Sequence, residues 1–259
     1  MQAALLDSGP SREQLRLLAG GEPILTVENL RAGYGRMEIL HGIDLMVAAG
    51  RSVCLIGPNG AGKSTVLHSI YGFTRVFEGS VRVGDVDVTK LSPNQKLRRS
   101  GVAYVLQDNS VFPDMTVEEN LWMGGYLKER PQQAKEAAER VFARYKRLAD
   151  RRKQPARVLS GGERRLLEIS RALVMDPKVL LVDEPSIGLE PRYIDMVFEI
   201  LTGLQREEGK SIVMVEQNAK KGLEFADVGY VLVAGNVARA ATGRELLADP
   251  EVGRLFLGG

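Results

Sequence analysis

Gly57-Pro58-Asn59-Gly60-Ala61-Gly62-Lys63-Ser64, followed by Thr65, has the residue types and spacing to hold a chain of phosphates. Glycines let the backbone wrap closely enough for successive N–H groups to point at an anion. A helix opening near Gly62 adds the positive end of its dipole. Lys63 is spaced to reach the outer phosphates as a point charge, and the Ser64 hydroxyl is a ligand for Mg2+. Far along the chain, Asp183-Glu184 closes the apolar run Val179-Leu180-Leu181-Val182. Two adjacent carboxylates at a strand end repel each other unless a cation is near, and Mg2+ supplies one. Asp183 is the candidate metal ligand, and Glu184, one residue further, is the candidate that polarises an attacking water. The chemistry these groups suit is phosphoryl transfer from a nucleoside triphosphate.

Such groups need a rigid frame. Residues 52–56 form a continuous apolar run of the kind buried on both faces of a parallel sheet, the glycines follow at once, and residues 63–71 carry a helical pattern. Strand, glycine loop and helix in that order predict an α/β nucleotide fold. Residues 179–183 and 211–215 read as further parallel-type strands, with a helix from about 192 to 206 between them. Residues 24–27 open a β-rich lobe, 43–47 alternate like a half-buried strand, and Val81-Arg82-Val83 and Val86-Asp87-Val88 flank a Gly84-Asp85 turn. From about 114 to 175 the pattern is helical, with Pro131 suited to a first helical position and Ala134, Ala138, Val141, Tyr145 and Leu148 at three- and four-residue steps. Gly235-Asn236 predicts a closing hairpin. Residues 1–22 read as an extension in which Ser11 and Gln14 cap a short helix that Gly20-Gly21 ends. The absence of an internal repeat predicts one nucleotide-binding unit over residues 23–259, with a helical subdomain at about 108–175.

Leu159-Ser160-Gly161-Gly162-Glu163, lying between the phosphate loop and the acidic strand, resembles the signature motif of ABC ATPases. The order of the three motifs separates this family from GTPases, kinases and helicases. The resemblance runs from about residue 24 to 235. It implies a P-loop (RecA-like) core with an antiparallel β lobe and an α-helical subdomain. It also implies that Ser160, Gly161, Gly162 and Glu163 act on the ATP held by a second chain, so that two chains sandwich two nucleotides head to tail. Tyr34 falls where the family places an aromatic on adenine. Gln107 resembles the glutamine that links Mg2+ and water to the segment facing the membrane subunits. Ser186-Ile187-Gly188-Leu189-Glu190-Pro191 resembles the family's loop for contact across the dimer.

Most family members carry a histidine after the third core strand, yet here the stretch reads Val215-Glu216-Gln217-Asn218-Ala219. Gln217 can donate a hydrogen bond to phosphate but cannot become cationic, so a smaller contribution is expected of it. This wording, with Met115-Thr116-Val117-Glu118-Glu119-Asn120-Leu121, Met123-Gly124-Gly125 and the closing Leu257-Gly258-Gly259, looks like branched-chain amino-acid transport ATP-binding proteins of the LivF type. Urea and short-chain amide importers share much of it, and a non-transport ABC ATPase is the remaining alternative. The likeness implies a sister ATP-binding chain, two transmembrane permease subunits, an external substrate-binding protein and a place on the cytoplasmic face of the inner membrane. The continuation Arg164-Arg165-Leu166 is less typical of the subfamily.

Composition agrees with this class. A net charge of +2 over 259 residues is too mild for a nucleic-acid partner. The one cysteine, Cys54, sits in an apolar run and suits a reducing compartment. No apolar stretch reaches the ~20 residues of a membrane span, so any membrane role is expected to be peripheral. His41 and His68 lack Cys or His neighbours and read as structural or exposed. The basic run Arg144, Lys146, Arg147, Arg151, Arg152, Lys153 and Arg157 reads as a solvated face, with lipid headgroups as the alternative. Phe112, Trp122 and Met123 suit either a dock for a membrane subunit or the core of the helical lobe.

Overall fold

The computed structural model describes residues 9–107 and 110–256. The readings made on residues 1–8, on the first two residues of the expected helical subdomain and on Leu257-Gly258-Gly259 lie outside the described residues.

The chain opens with α1 (Arg12–Ala19), closed by the Ser11–Gln14 capping box and by Gly20 in a left-handed conformation. The helix is docked, because Leu15 and Ala19 are buried in the main core and Arg12 Nε donates to Asp44 Oδ1 at 2.9 Å. Two long strands, β1 (Pro23–Tyr34) and β2 (Met37–Ala48), then pair antiparallel. After β3 (Ser52–Ile56) and α2 (Lys63–Tyr71) come β4 (Arg75–Val83) and the short β5 (Val86–Asp87). These complete a four-stranded sheet in the order β2-β1-β4-β5.

The second sheet has six strands. After the single turn α3 (Pro93–Gln95) its edge strand is β6 (Val102–Val105), followed through the helical lobe by β7 (Val179–Asp183), β8 (Ser211–Val215), β9 (Val228–Val233) and β10 (Asn236–Thr242). The order is β10-β9-β3-β8-β7-β6, parallel throughout except for the β9–β10 hairpin. The strands are apolar in a row because both faces are covered. Val53 and Leu55 of β3, Val179 and Leu181 of β7, and Val213 and Val215 of β8 join the core shared with the antiparallel lobe. Their alternates Cys54, Ile56, Leu180, Val182, Ile212 and Met214 join a second core. That core is closed by α8 (Pro191–Arg206) and α9 (Ala219–Phe225), and later by α10 (Gly243–Ala248) and α11 (Pro250–Phe256).

The helical lobe has its own cluster, built by α4 (Val117–Gly124), α5 (Pro131–Arg144), α6 (Lys146–Ala149) and α7 (Gly161–Leu173). Buried Asn120 ties the segment before α4, donating from Nδ2 to Phe112 O at 2.9 Å and accepting from Phe112 N–H at 2.8 Å. The basic run is a solvated face, half-buried only at Arg152, but several of its cations are paired. Arg152 bonds Glu118 at 2.9 Å and Glu139 at 2.7 Å, Arg157 bonds Asp114 at 2.7 Å, Arg151 pairs with Glu163 and Arg144 pairs with Glu208. The acids come from other elements, which a linear run of cations conceals.

Lys96, 0% exposed, is the least expected buried charge. Its ammonium donates to Ile70 O at 2.7 Å, near the carboxyl end of α2. Burial lowers its pKa to about 8, against a smaller opposing pull from Asp87. The unfolded chain keeps this proton up to the ordinary value of 10.5, so the contribution of Lys96 to stability should rise between pH 8 and 10.5. In Lys96→Met that rise, on the order of 3 kcal/mol, should be missing when denaturant midpoints are compared across this window.

Candidate functional site

Strands β3, β7 and β8 run parallel, and their carboxyl ends bring segments more than a hundred residues apart onto one edge. The loop after β3 turns tightly at Gly57, which has φ +148°, and a Cβ there would stand 2.2 Å from Leu232 O. Gly62 precedes α2 with φ +98°, so the first helical amides of Lys63, Ser64 and Thr65 face the loop. Ala61 and Thr65 are buried beneath it, while Asn59 and Gly60 are exposed at its tip and Pro58 is half-buried. Lys63 lies under the loop and donates to Gly57 O at 2.9 Å and Pro58 O at 3.1 Å. Burial lowers its pKa, while Glu184 and Asp183 pull it back up.

Ser64 Oγ donates to Asp183 Oδ1 at 3.0 Å, so the two candidate metal ligands meet across 119 positions of sequence. The other oxygen of Asp183 accepts from the Tyr104 hydroxyl at 2.7 Å. Hard oxygen donors beside a phosphate loop are the set Mg2+ takes, with phosphate and water oxygens completing its shell. Gln107 Nε2 donates to Glu184 Oε2 at 3.3 Å, which puts the third candidate ligand beside the candidate catalytic acid. Glu184 itself has φ +42°, a strained conformation for a non-glycine residue, and its N–H donates to Val215 O at 2.9 Å. Such strain collects where a side chain must be aimed. Gln217, exposed, follows β8 on the same edge.

Tyr34 ends β1 with 44% exposure, and its hydroxyl bonds His68 Nδ1 on α2 at 2.5 Å. It therefore stands against α2, the helix that the phosphate loop opens, and stays partly exposed. His68 is structural, packed among Tyr34, Phe73 and Tyr104, and His41 is an exposed partner of Glu38 at 2.9 Å.

Residues 160–163 form a separate place. Ser160 caps α7 in a reciprocal box, with Glu163 N–H donating to Ser160 Oγ at 3.3 Å and Ser160 N–H to Glu163 Oε2 at 2.9 Å. The Glu163 carboxylate thus serves the cap and Arg151, and its hydrogen bonds with Ser160 are part of what holds its pKa below the usual carboxylate range. The atoms left for an anion are the amides at the start of the helix and the Ser160 hydroxyl. Gly162 is required by packing, since a Cβ would meet the Tyr193 ring at 2.2 Å. Among the described residues, the hydrogen bonds and ion pairs of this segment's side chains stay within it or run to Arg151, away from the phosphate loop.

Four contributors escaped the sequence reading. Tyr104 is one, and its signal was a phenol inside an apolar strand. Arg165 and Glu168 are a buried pair 2.8 Å apart, and their signal was an i, i+3 charge pair set among Leu166, Leu167 and Ile169. Arg165 also donates to Leu106 O at 2.7 Å and Asp183 O at 3.1 Å, which fixes α7 to both candidate ligand segments. Glu216 is the fourth; nothing in its spacing marks it.

Of the three residues suited to a dock or a core, Trp122 packs against the helical core with Lys135 over its ring. Phe112 and Met123 are partly exposed and line a groove of about 340 Å³ with Leu106, Tyr126 and Arg171. No helix among the described residues is long and apolar enough to cross a membrane.

The profile of the ABC transporter family matches residues 40–187. The high-affinity branched-chain amino acid transport ATP-binding protein BraG of Pseudomonas aeruginosa is 40% identical over 236 residues, 91% of this chain and 100% of the relative. The probable branched-chain amino acid transport ATP-binding protein LivF of Archaeoglobus fulgidus is 35% identical over 91% of this chain and 99% of its own length. The lipopolysaccharide export ATP-binding protein LptB of Haemophilus influenzae is 32% identical over 91% and 97%. Among solved structures, a nucleotide-free ATP-binding cassette of an ABC transporter superposes with a TM-score of 0.80 at 28% identity, covering 92% of this chain and 100% of its own. The ADP conformation of the cassette MJ1267 gives the same score and identity over 92% and 99%.

Proposed function

Because the chain belongs to the ABC transporter family, as an ATP-hydrolysing subunit, we propose that it powers an importer of branched-chain or other hydrophobic amino acids. The observation that carries the chemistry is the meeting of Ser64 with Asp183 at the end of the glycine loop, with Gln107 and Glu184 alongside. The substrate class is supported by the likeness to BraG and LivF over nine-tenths of the chain.

In this reading the backbone N–H groups of Gly60 and of residues 62–65 and the Lys63 ammonium hold the phosphates, and Tyr34 offers its ring to adenine. Ser64, Asp183 and Gln107 would hold Mg2+, which would supply positive charge to offset that of the phosphates. Tyr104 keeps one Asp183 oxygen occupied and so aims the other at Ser64. Glu184 takes up the proton of the attacking water, and Gln217 donates a hydrogen bond to the outer phosphate. Ser160 and the amides of Gly161 and Gly162 close over the nucleotide of a second, sister chain. The groove at Phe112 and Met123 receives a permease subunit on the cytoplasmic face of the inner membrane, and an external binding protein delivers cargo.

The test is to isolate the intact membrane complex through this chain and measure ATP hydrolysis against candidate cargoes. Leucine, isoleucine or valine should stimulate it, and stimulation by urea or a short amide instead would overturn the cargo. Lys63→Ala in the same complex should weaken MgATP binding by about 10- to 100-fold, the loss of one charge-assisted contact. Parental affinity in that variant would remove Lys63 from the site.

A further inference from the structure

Glu216 is 1% exposed and sits directly after β8, one residue before Gln217. Its Oε1 accepts two hydrogen bonds, from the Ser186 hydroxyl at 2.8 Å and from the Asn218 backbone N–H at 2.9 Å. Ser186 opens the loop that follows Glu184, and Asn218 closes the turn that carries Gln217. One oxygen atom therefore joins the two loops. Its Oε2 is buried and has no hydrogen-bond partner among the described residues. The surroundings are sealed by α9, where a Cβ at Gly222 would lie 3.1 Å from Glu216 Cβ and 2.6 Å from Cys54 Sγ. Burial pushes the carboxyl above the usual carboxylate range. A buried, half-satisfied acid is costly, and an apolar side chain of similar size would fill this place more cheaply if packing were its only role.

The two loops have different outlooks. The Gln217 turn leaves β8 on the same sheet edge as the phosphate loop, and residues 186–191 resemble a contact to a second chain. We propose that Glu216 is a positioning residue that clamps the Gln217 turn to the Ser186 loop through one shared oxygen, so that the second chain's contact at residues 186–191 sets where Gln217 stands. The proposal rests on the reading of Gln217 and of residues 186–191 given above. Glu184 lies within the same frame, since its N–H is held by Val215 O immediately before Glu216 and its carbonyl accepts from Ile187 N–H at 3.3 Å. A shift of either loop is thereby felt at the candidate catalytic acid.

The experiment is steady-state ATP hydrolysis by the full chain in its complex, with kcat and KM separated. Glu216→Ala strips the acceptor from both loops and should lower kcat about tenfold while KM for ATP stays within about twofold. Glu216→Gln offers an amide oxygen to the same two donors and should keep at least about half of the parental kcat. Ser186→Ala removes one arm and should lower kcat about threefold, and the Ser186→Ala, Glu216→Ala double variant should fall no lower than Glu216→Ala alone. Additive losses, Glu216→Gln as impaired as Glu216→Ala, parental kcat in Glu216→Ala, or a KM that climbs as kcat falls would each overturn the clamp. If Glu216→Ala does not fold, Ser186→Ala and Glu216→Gln decide, and parental kcat in Ser186→Ala overturns it. Gln217→Ala keeps the two readings apart. A loss of kcat there beside an additive cycle defeats the clamp alone, whereas parental kcat there defeats the reading of Gln217 and the clamp with it.

Discussion

Glu184→Gln should leave MgATP affinity within about twofold of the parent and lower phosphate release by at least about 100-fold, the lower end of what a positioned base contributes. Glutamine keeps the size of the side chain and one oxygen but cannot take a proton from water. The surrounding geometry should survive the change, because the backbone at residue 184 is held from outside the side chain. Its N–H is bonded to Val215 O, and its φ of +42° is set by the turn between β7 and residues 186–191. The hydrogen bonds of Lys63 with Gly57 O and Pro58 O and of Ser64 with Asp183 do not involve this side chain. ATP should therefore bind and persist, and chains paired around it should accumulate, visible as a larger species in size-exclusion chromatography with ATP but not with ADP. Phosphate release near the parental rate would take Glu184 out of the chemistry and leave Gln107 and Gln217 to account for water activation.

What the sequence could reveal divides along physical lines. Contacts set within a few residues were legible: the Ser11–Gln14 box, the Gly57–Ser64 loop between a buried strand and a helix, Pro131 at a helix start, the Gly235 hairpin. Each is a local steric or hydrogen-bonding rule with a short signature. The strands were legible because burial on both faces leaves unbroken apolar runs, but their order across the sheet is a choice among loop crossings that no run encodes. Charges were the poorest guide. Arg152 finds Glu118 and Glu139, and Lys96 finds only a carbonyl of α2; in each case the partner lies 13 to 34 positions away. The candidate site was legible at its phosphate loop and acidic strand. Its support was not, because Tyr104, Arg165 and Glu216 act on backbone or side-chain groups that reach them only through the sheet.

The support has measurable weight at Arg165. Its guanidinium, 4% exposed, spreads its donors over Leu106 O, Glu168 Oε2 and Asp183 O at 2.7, 2.8 and 3.1 Å. Arg165→Met would leave the Glu168 carboxylate buried without its cation and strip both carbonyls of a donor. Breaking one side of a buried pair costs about 3–5 kcal/mol. For a chain of this length that corresponds to a fall in melting temperature of roughly 6–20 °C. Removing the stranded acid as well, in Arg165→Met with Glu168→Met, should recover at least about half of the loss, because apolar replacement of a whole buried pair is often neutral. Arg165→Lys separates charge from shape. A lysine keeps the cation for Glu168, yet its single ammonium lacks the planar fork that spans two carbonyls on different segments. It should melt closer to the parent while kcat still falls, since the carbonyls of Leu106 and Asp183 belong to the segments that carry Gln107 and Glu184. Parental melting in Arg165→Met, or a double variant no better than the single, would show that the pair is not what holds α7 to the catalytic edge.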